Sequence, residues 1–150
     1  MNIREGIQLE VPDVFIPWET SEKELRDLLE PFGLRKVTKG YFTISCQSLS
    51  GMEHELGFHF IPRGGDNLQE LEFFRRSYDD QQKSYDEFQS HFEQHFGKPT
   101  STRKGTEGFP TQVWNLKGVE ISHYVFDRFG AEEHMRIKKT TNPTRKWSLS

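Results

Sequence analysis

Two residue types are almost missing from this chain. Ala131 is its one alanine and Cys46 its one cysteine, among 150 residues. A single cysteine excludes an internal disulfide and fits a reducing compartment. The lack of alanine, the best helix former, argues against a helical bundle or coiled coil. Apolar residues are scarce too, at 33%, with a mean hydropathy of -0.80. No apolar run approaches the roughly 18 residues of a membrane span, and the opening Met-Asn-Ile-Arg-Glu-Gly-Ile lacks the apolar stretch of a signal peptide. The expectation is a cytoplasmic protein with no membrane partner. Catalytic signatures are also missing. The chain holds no Cys-x-x-Cys, no Gly-x-Ser-x-Gly, no phosphate loop and no dinucleotide fingerprint. It is therefore read as a non-enzyme with no cofactor.

What is present is aromatic. Thirteen Phe, four Tyr and three Trp supply large side chains that build a core from few positions. Charge is uneven around a net of -3. From Glu10 to Glu30 there are seven acids against two bases, whereas Arg136 to Ser150 holds five bases and no acid. An acidic body argues against nucleic acid, whose phosphates need a basic face, and suits a basic protein partner.

Periodicity divides the chain. Gly6–Val11 alternates as a strand with Ile7, Leu9 and Val11 on one side. Ser21-Glu22-Lys23-Glu24 is a capping box that opens a helix with Leu25, Leu28, Leu29 and Phe32 on one face, stopped by Pro31 and Gly33. Strands are expected at Tyr41–Cys46, Glu55–Ile61 and Leu68–Phe74, with a turn at Arg63–Asn67. From Asp80 to Phe96 the period becomes helical, and Tyr85, Phe88, Phe92 and Phe96 form one stripe ended by Gly97 and Pro99. Strands resume at Gln112–Leu116, Val119–Asp127 and His134–Lys139.

That order is helix, strand, strand, strand, twice over. It reads as an internal duplication of a helix–three-strand unit. The expected fold is α+β, a largely antiparallel sheet packed against two helices. Residues 1–139 form one domain, and residues 140–150 a flexible basic C-terminal tail anchored at most by Trp147.

Several constellations bear on chemistry. His91 and His95 are four apart on one helix face, the spacing of a metal-binding pair, with Glu87 alongside. The metalloprotease pattern needs Glu after the first His, and Phe92 stands there. They are the only metal candidates, and no metal is assigned. Glu53, Glu55 and His59 share a strand face and match the residue types of general acid–base catalysis, as do Glu132, Glu133 and His134. Each reads more simply as a solvated face. His123 alternates with Val119, Ile121 and Val125 and is expected as a hydrogen-bonded core histidine. Cys46 is expected as a small buried hydrophobe, with no activating histidine adjacent in sequence.

Three segments, Ile16-Pro17-Trp18-Glu19-Thr20, Phe96-Gly97-Lys98-Pro99 and Trp114-Asn115-Leu116, resemble segments of small bacterial proteins of the polymorphic-toxin immunity type. The resemblance in layout spans residues 7 to 138. It implies a cytoplasmic protein that binds one toxin domain and blocks it, and it transfers no individual site residue. The expected function is thus non-catalytic protein binding, with a basic toxin domain as partner. The interface is placed on acids of the first helix and unexplained aromatics: Trp18, Glu19, Glu22, Asp27, Glu30 and Phe109. The alternatives are a secretion-chaperone-like protein that holds a partner, and a small metal-dependent hydrolase.

Overall fold

A computed structural model describes residues 2–60, 67–75, 80–105, 108–127 and 131–140. The architecture is α+β. A short hairpin, β1 (Gly6–Leu9) and β2 (Val14–Pro17), precedes α1 (Glu22–Leu29) and a single 3-10 turn (Glu30–Phe32). Four strands follow: β3 (Arg35–Thr38), β4 (Tyr41–Ser48), β5 (Met52–Phe60) and β6 (Leu68–Phe74). Then come α2 (Gln81–Phe96), β7 (Ser101–Arg103), β8 (Thr111–Leu116), β9 (Val119–Asp127) and β10 (Ala131–Lys139). β3 to β10 form one eight-stranded antiparallel sheet in the order β3-β4-β5-β6-β10-β9-β8-β7.

The helix starts follow from local chemistry. At α1 the Ser21 hydroxyl accepts from the Glu24 N–H (3.2 Å), and the Glu24 carboxylate accepts from the Ser21 N–H (3.1 Å). This is the expected capping box. Asp80 caps α2 by accepting from the Lys83 N–H at 3.0 Å.

Residues opposite each other in an antiparallel ladder share a face, so the register sorts the side chains. One face carries two continuous rows. The first is Phe42, Phe58, Leu71, Ile137, Ile121 and Trp114, and the second is Ile44, Leu56, Phe73, Met135, His123 and Gln112. This is the core face. Phe92 of α2 packs edge-on against Phe73 and Trp114, with centroids 5.4 and 5.8 Å apart. Ile7, Leu9, Ile16, Leu25 and Leu29, from the hairpin and α1, are fully buried. Burying each large apolar side chain contributes about 1.5–3 kcal/mol. More than twenty-five of them among the described residues stabilise a chain otherwise poor in apolar residues.

The opposite face is polar. Glu70 and Glu72 of β6 face Arg136 and Lys138 of β10 across the seam between the two halves. Arg136 is paired with Glu70 and with Glu72 (3.4 Å), and Lys138 lies 3.8 Å from Glu70.

Both halves of the chain run a helix and then a four-strand meander, and each brings its last strand to the seam. The expected units had three strands. β3 and β7 extend them, and both are exposed throughout, so neither carries the alternation that marks a half-buried strand. Two further expectations are corrected. Val11 lies beyond the end of β1 and is exposed, unlike Ile7 and Leu9. Leu28 and Phe32 are exposed, because the stripe of α1 ends at Leu29 and the tighter 3-10 turn rotates Phe32 off it. Phe126, on the polar face, is also exposed.

Among the described residues no helix is long and apolar enough to cross a membrane. Residues 63–66 of the expected turn, and Trp147 with the rest of the tail from residue 141, lie outside the described residues.

Candidate functional site

A groove of about 730 Å³ opens at the outer edge of β4. β3 covers that edge only from Tyr41 to Thr43. At the far end Val11 makes an isolated bridge to Gln47. There the Gln47 N–H donates to the Val11 carbonyl at 2.9 Å, and the Gln47 carbonyl accepts from the N–H groups of Glu10 (2.9 Å) and Val11 (3.3 Å). Main-chain groups in an antiparallel strand alternate between its two sides. Thr43, Ser45 and Gln47 therefore all direct theirs outward, and Ser45 does so between the two covered stretches. Val11, Pro12, Phe32, Ser45, Cys46, Gln47, Glu53, His54, Glu55 and Arg75 line the groove.

Cys46 and His54 are directly opposed in the β4–β5 ladder. Sγ lies 3.8 Å from Nε2 of His54, and the Ser48 hydroxyl lies 2.6 Å from the same nitrogen. Nδ1 lies 2.9 Å from the Glu55 carbonyl, which only accepts. The ring thus donates from Nδ1 and accepts at Nε2. Burial pushes His54 down to about 4, against the pull of its bond to the Glu55 carbonyl. Burial, aided by the charge of Glu55, pushes the Cys46 thiol up to about 12. A nucleophilic cysteine needs the reverse, a stabilised thiolate beside an imidazolium. Cys46 is buried as the sequence implies, but with a histidine against it. That contact depends on hairpin register, in which Cys46 pairs with His54 and Ser48 with Met52, and no motif in the sequence marks it.

Arg75 donates to the Ser84 hydroxyl at 2.7 Å, pairs with Glu87, and lies 4.3 Å above the Phe88 ring. Its charge is therefore matched within the protein.

The acids expected at an interface stand on α1 or its approach. Glu19, Asp27 and Glu30 are exposed and Glu22 half-exposed. The same stretch exposes two apolar side chains, Leu28 at 37% and Phe32 at 53%. Trp18 does not belong to this surface. It is 1% exposed, and its indole N–H donates to the Ile3 carbonyl at 2.7 Å. It locks the N-terminal segment onto the core. Phe109 belongs to the other half of the sheet, where its ring lies 5.2 Å from that of Tyr85, so the structure does not bring it to the acids of α1.

The histidines have structural partners. His91 Nδ1 is 2.5 Å from the Leu49 carbonyl, and His95 Nε2 is 2.9 Å from the Ser50 hydroxyl. Both side chains of α2 thus hold the β4–β5 turn, where Leu49 and Ser50 have φ of 54° and 67°. Glu10 completes the clamp by accepting from the Ser50 and Gly51 N–H groups at 2.8 and 2.6 Å. Among the described residues no group of three or more His, Cys, Asp or Glu side chains is arranged to hold a metal.

His59 shares a face with Glu55 as expected, but its ring stacks on Tyr41 (4.3 Å) and bonds Glu72 (3.0 Å). Burial pushes Glu72 up, yet the bond from His59 and the charge of Arg136 outweigh it and hold that carboxylate below its ordinary value. His123 is a fully buried, hydrogen-bonded core histidine. Its Nδ1 is 2.8 Å from Gln89 Oε1, and its Nε2 contacts Glu133. Glu133 thereby leaves the Glu132–His134 constellation and points into the core, while the His134 ring stacks on Tyr124 at 4.9 Å.

No family model, no curated protein and no solved structure matches the chain.

Proposed function

We propose that this chain is a non-catalytic protein-binding protein with a basic partner, and that it acts in the cytoplasm as an immunity protein that blocks a bacterial toxin domain. The observation that carries the binding reading is the surface of α1. Leu28 and Phe32 are exposed on a segment that also carries Glu19, Glu22, Asp27 and Glu30, with Asp27 paired to Lys23. Exposed apolar side chains on a charged segment are the anatomy of a protein interface, and a surplus of acid selects a basic partner and speeds encounter. The protonated thiol and neutral ring of Cys46 and His54 support a role without chemistry. The matching order of the two halves supports their origin by duplication, a doubled helix–meander unit.

The test is co-purification of the tagged chain from its source cells, followed by an affinity measurement on the isolated partner. A Glu22→Lys/Asp27→Lys/Glu30→Lys variant should keep its far-UV circular dichroism and lose at least tenfold in affinity. Co-expression of the chain should suppress the toxicity of that partner. An acidic partner, or one bound equally by the charge-reversed variant, overturns the binding reading. A basic partner with no toxicity retains it and removes the immunity role.

A further inference from the structure

The groove at the outer edge of β4 also fits a ligand other than a protein. We propose that it binds a small, uncharged, planar heterocycle through a lactam-type edge, one N–H beside one C=O, that pairs with the main chain of Ser45. The proposal stands apart from the protein-binding reading above, and three observations carry it. The first is the polar complement. Thr43 is taken by Arg35 of β3, and Gln47 by Val11. Between them Ser45 is exposed and directs its N–H and C=O outward, and among the described residues nothing pairs with it on that side. These two groups leave one extended residue side by side, close to the plane of the sheet. A ligand that answers both holds an acceptor and a donor side by side in one plane, as a lactam edge does. The covered rungs lie two residues to either side of Ser45, so the opening spans at most about 13 Å along the strand. A two-ring heterocycle fits within it, whereas an added strand of ordinary length would run into Arg35 or Val11.

The second is the lining. Val11 and Phe32 are more than half exposed, at 56% and 53%, and both line the groove together with Pro12. They offer apolar surface for a ligand to cover, and the Phe32 ring offers an aromatic contact. The volume of about 730 Å³ lies in the range of about 300–1,000 Å³ usual for small-molecule sites, which join apolar walls to a few main-chain polar groups.

The third is charge. Arg75 is paired with Glu87. The Cys46 thiol and the His54 ring are uncharged near neutral pH. Glu53 accepts from the Gln47 amide at 3.2 Å, and Glu55 from the Ser45 hydroxyl at 2.5 Å. Each charged group of the lining thus has a partner inside the protein. A charged ligand would give up hydration without gaining an unpaired opposite charge, and an uncharged one gives up least.

The probes are two benzo-fused lactams, carbostyril and isocarbostyril, which carry the same edge on differently placed rings. Each is titrated to millimolar concentration against the full isotope-labelled chain, with the backbone amides followed by NMR. N-methylcarbostyril, which lacks the donor, and benzamidinium, a cation with donors only, are the comparisons. At least one lactam should shift the Ser45 amide saturably. N-methylation should weaken binding about fivefold or more, the effect of one hydrogen bond. Benzamidinium should bind at least fivefold more weakly, and Phe32→Ser should weaken the lactam about fivefold through the lost aromatic contact. No saturable shift with either lactam overturns the proposal. So does saturation that leaves the Ser45 amide unmoved, that survives N-methylation or that benzamidinium matches. If Phe32→Ser misfolds, the methylated probe still decides the matter on the unaltered chain. A chain that binds neither lactam remains free to bind a basic protein through α1, so the two readings fail separately.

Discussion

Cys46 and His54 face each other across the β4–β5 ladder with Sγ 3.8 Å from Nε2, and they do not form an ion pair. The ring is neutral, bonded at both nitrogens, and the thiol is pushed up to about 12. Only about one thiol in 10⁴ is ionised at pH 8 on that basis. The native chain should therefore react with iodoacetamide orders of magnitude more slowly than the same chain in denaturant. Comparable rates would show an activated cysteine and reopen the case for catalysis.

The same burial makes stability depend on pH in a defined window. In the unfolded chain a histidine titrates near 6.5, and in the fold burial pushes His54 down to about 4. As pH falls, the unfolded chain takes up this proton first. The stability contributed by the neutral ring is complete above about pH 6.5 and is lost as pH falls towards 4. A shift of that size corresponds to about 3 kcal/mol. Urea midpoints measured between pH 7 and 4 should fall more steeply for the native chain than for His54→Gln. Glu72, held below its ordinary carboxylate value, loses its contribution only at still lower pH, so the two effects separate. Parallel profiles would exclude His54 as the source.

His91 and His95 should matter to the β4–β5 turn without any metal. Each ring bonds the turn, one at the Leu49 carbonyl and one at the Ser50 hydroxyl. Losing both bonds costs about 1–3 kcal/mol, roughly 2–4 °C in Tm per kcal/mol for a chain of this size. The His91→Ala/His95→Ala variant should melt lower by that amount in EDTA. A native Tm that itself drops on EDTA treatment would instead point to a bound metal.

Where the sequence was readable, the reason was periodicity against a half-buried surface. The Tyr85–Phe96 stripe, the Leu68–Phe74 strand, the Val119–Asp127 strand and the Ser21 capping box all stand where spacing places them. The strands it hid, β3 and β7, are exposed on both faces and carry no alternation, and β2 is only four residues long and ends in Pro17. Trp18 was misplaced at an interface because an aromatic directly after Pro17 and before the capping box belongs to no periodic stretch. Its burial comes from a long-range bond to the Ile3 carbonyl. The groove was hidden for a related reason. Val11, Phe32, Ser45 and His54 meet only through sheet register and chain reversal, and Val11 and Phe32 had each been expected to face the core.

Trp18 offers a check on that distinction. Trp18→Phe removes the 2.7 Å bond and leaves the Ile3 carbonyl without its indole partner. Together with the smaller ring this should cost about 1–3 kcal/mol. Partner affinity should be unchanged, whereas Phe32→Ser should lower affinity and leave stability nearly intact. A reversed pattern, with Trp18→Phe weakening binding in a stable fold, would return Trp18 to the interface.

The most polar point of the core is the contact between His123 and Glu133, both fully inaccessible to solvent. Around it the polar atoms are matched. Gln89 Oε1 takes the Nδ1 proton at 2.8 Å, and the orientation of that amide follows from its Nε2, which donates to Glu93 at 2.8 Å. Glu133 Oε1 accepts from the Ser84 hydroxyl (2.7 Å) and the Gln81 amide (3.0 Å). Removing one partner leaves the others buried and unsatisfied, so Glu133→Leu alone should destabilise the fold by about 3–5 kcal/mol. The double variant His123→Leu/Glu133→Leu should recover much of that loss, because replacing a buried polar pair by apolar groups of similar volume is often neutral. The site favours that exchange. In the row Leu56, Phe73, Met135, His123, the position across the seam from His123 is already leucine, and Tyr85, Phe88 and Phe92 surround the imidazole with aromatic rings. A double-mutant cycle in urea should give a coupling of about 1–3 kcal/mol. Strict additivity would mean that the two side chains do not depend on each other, and the network drawn from these distances would then be wrong.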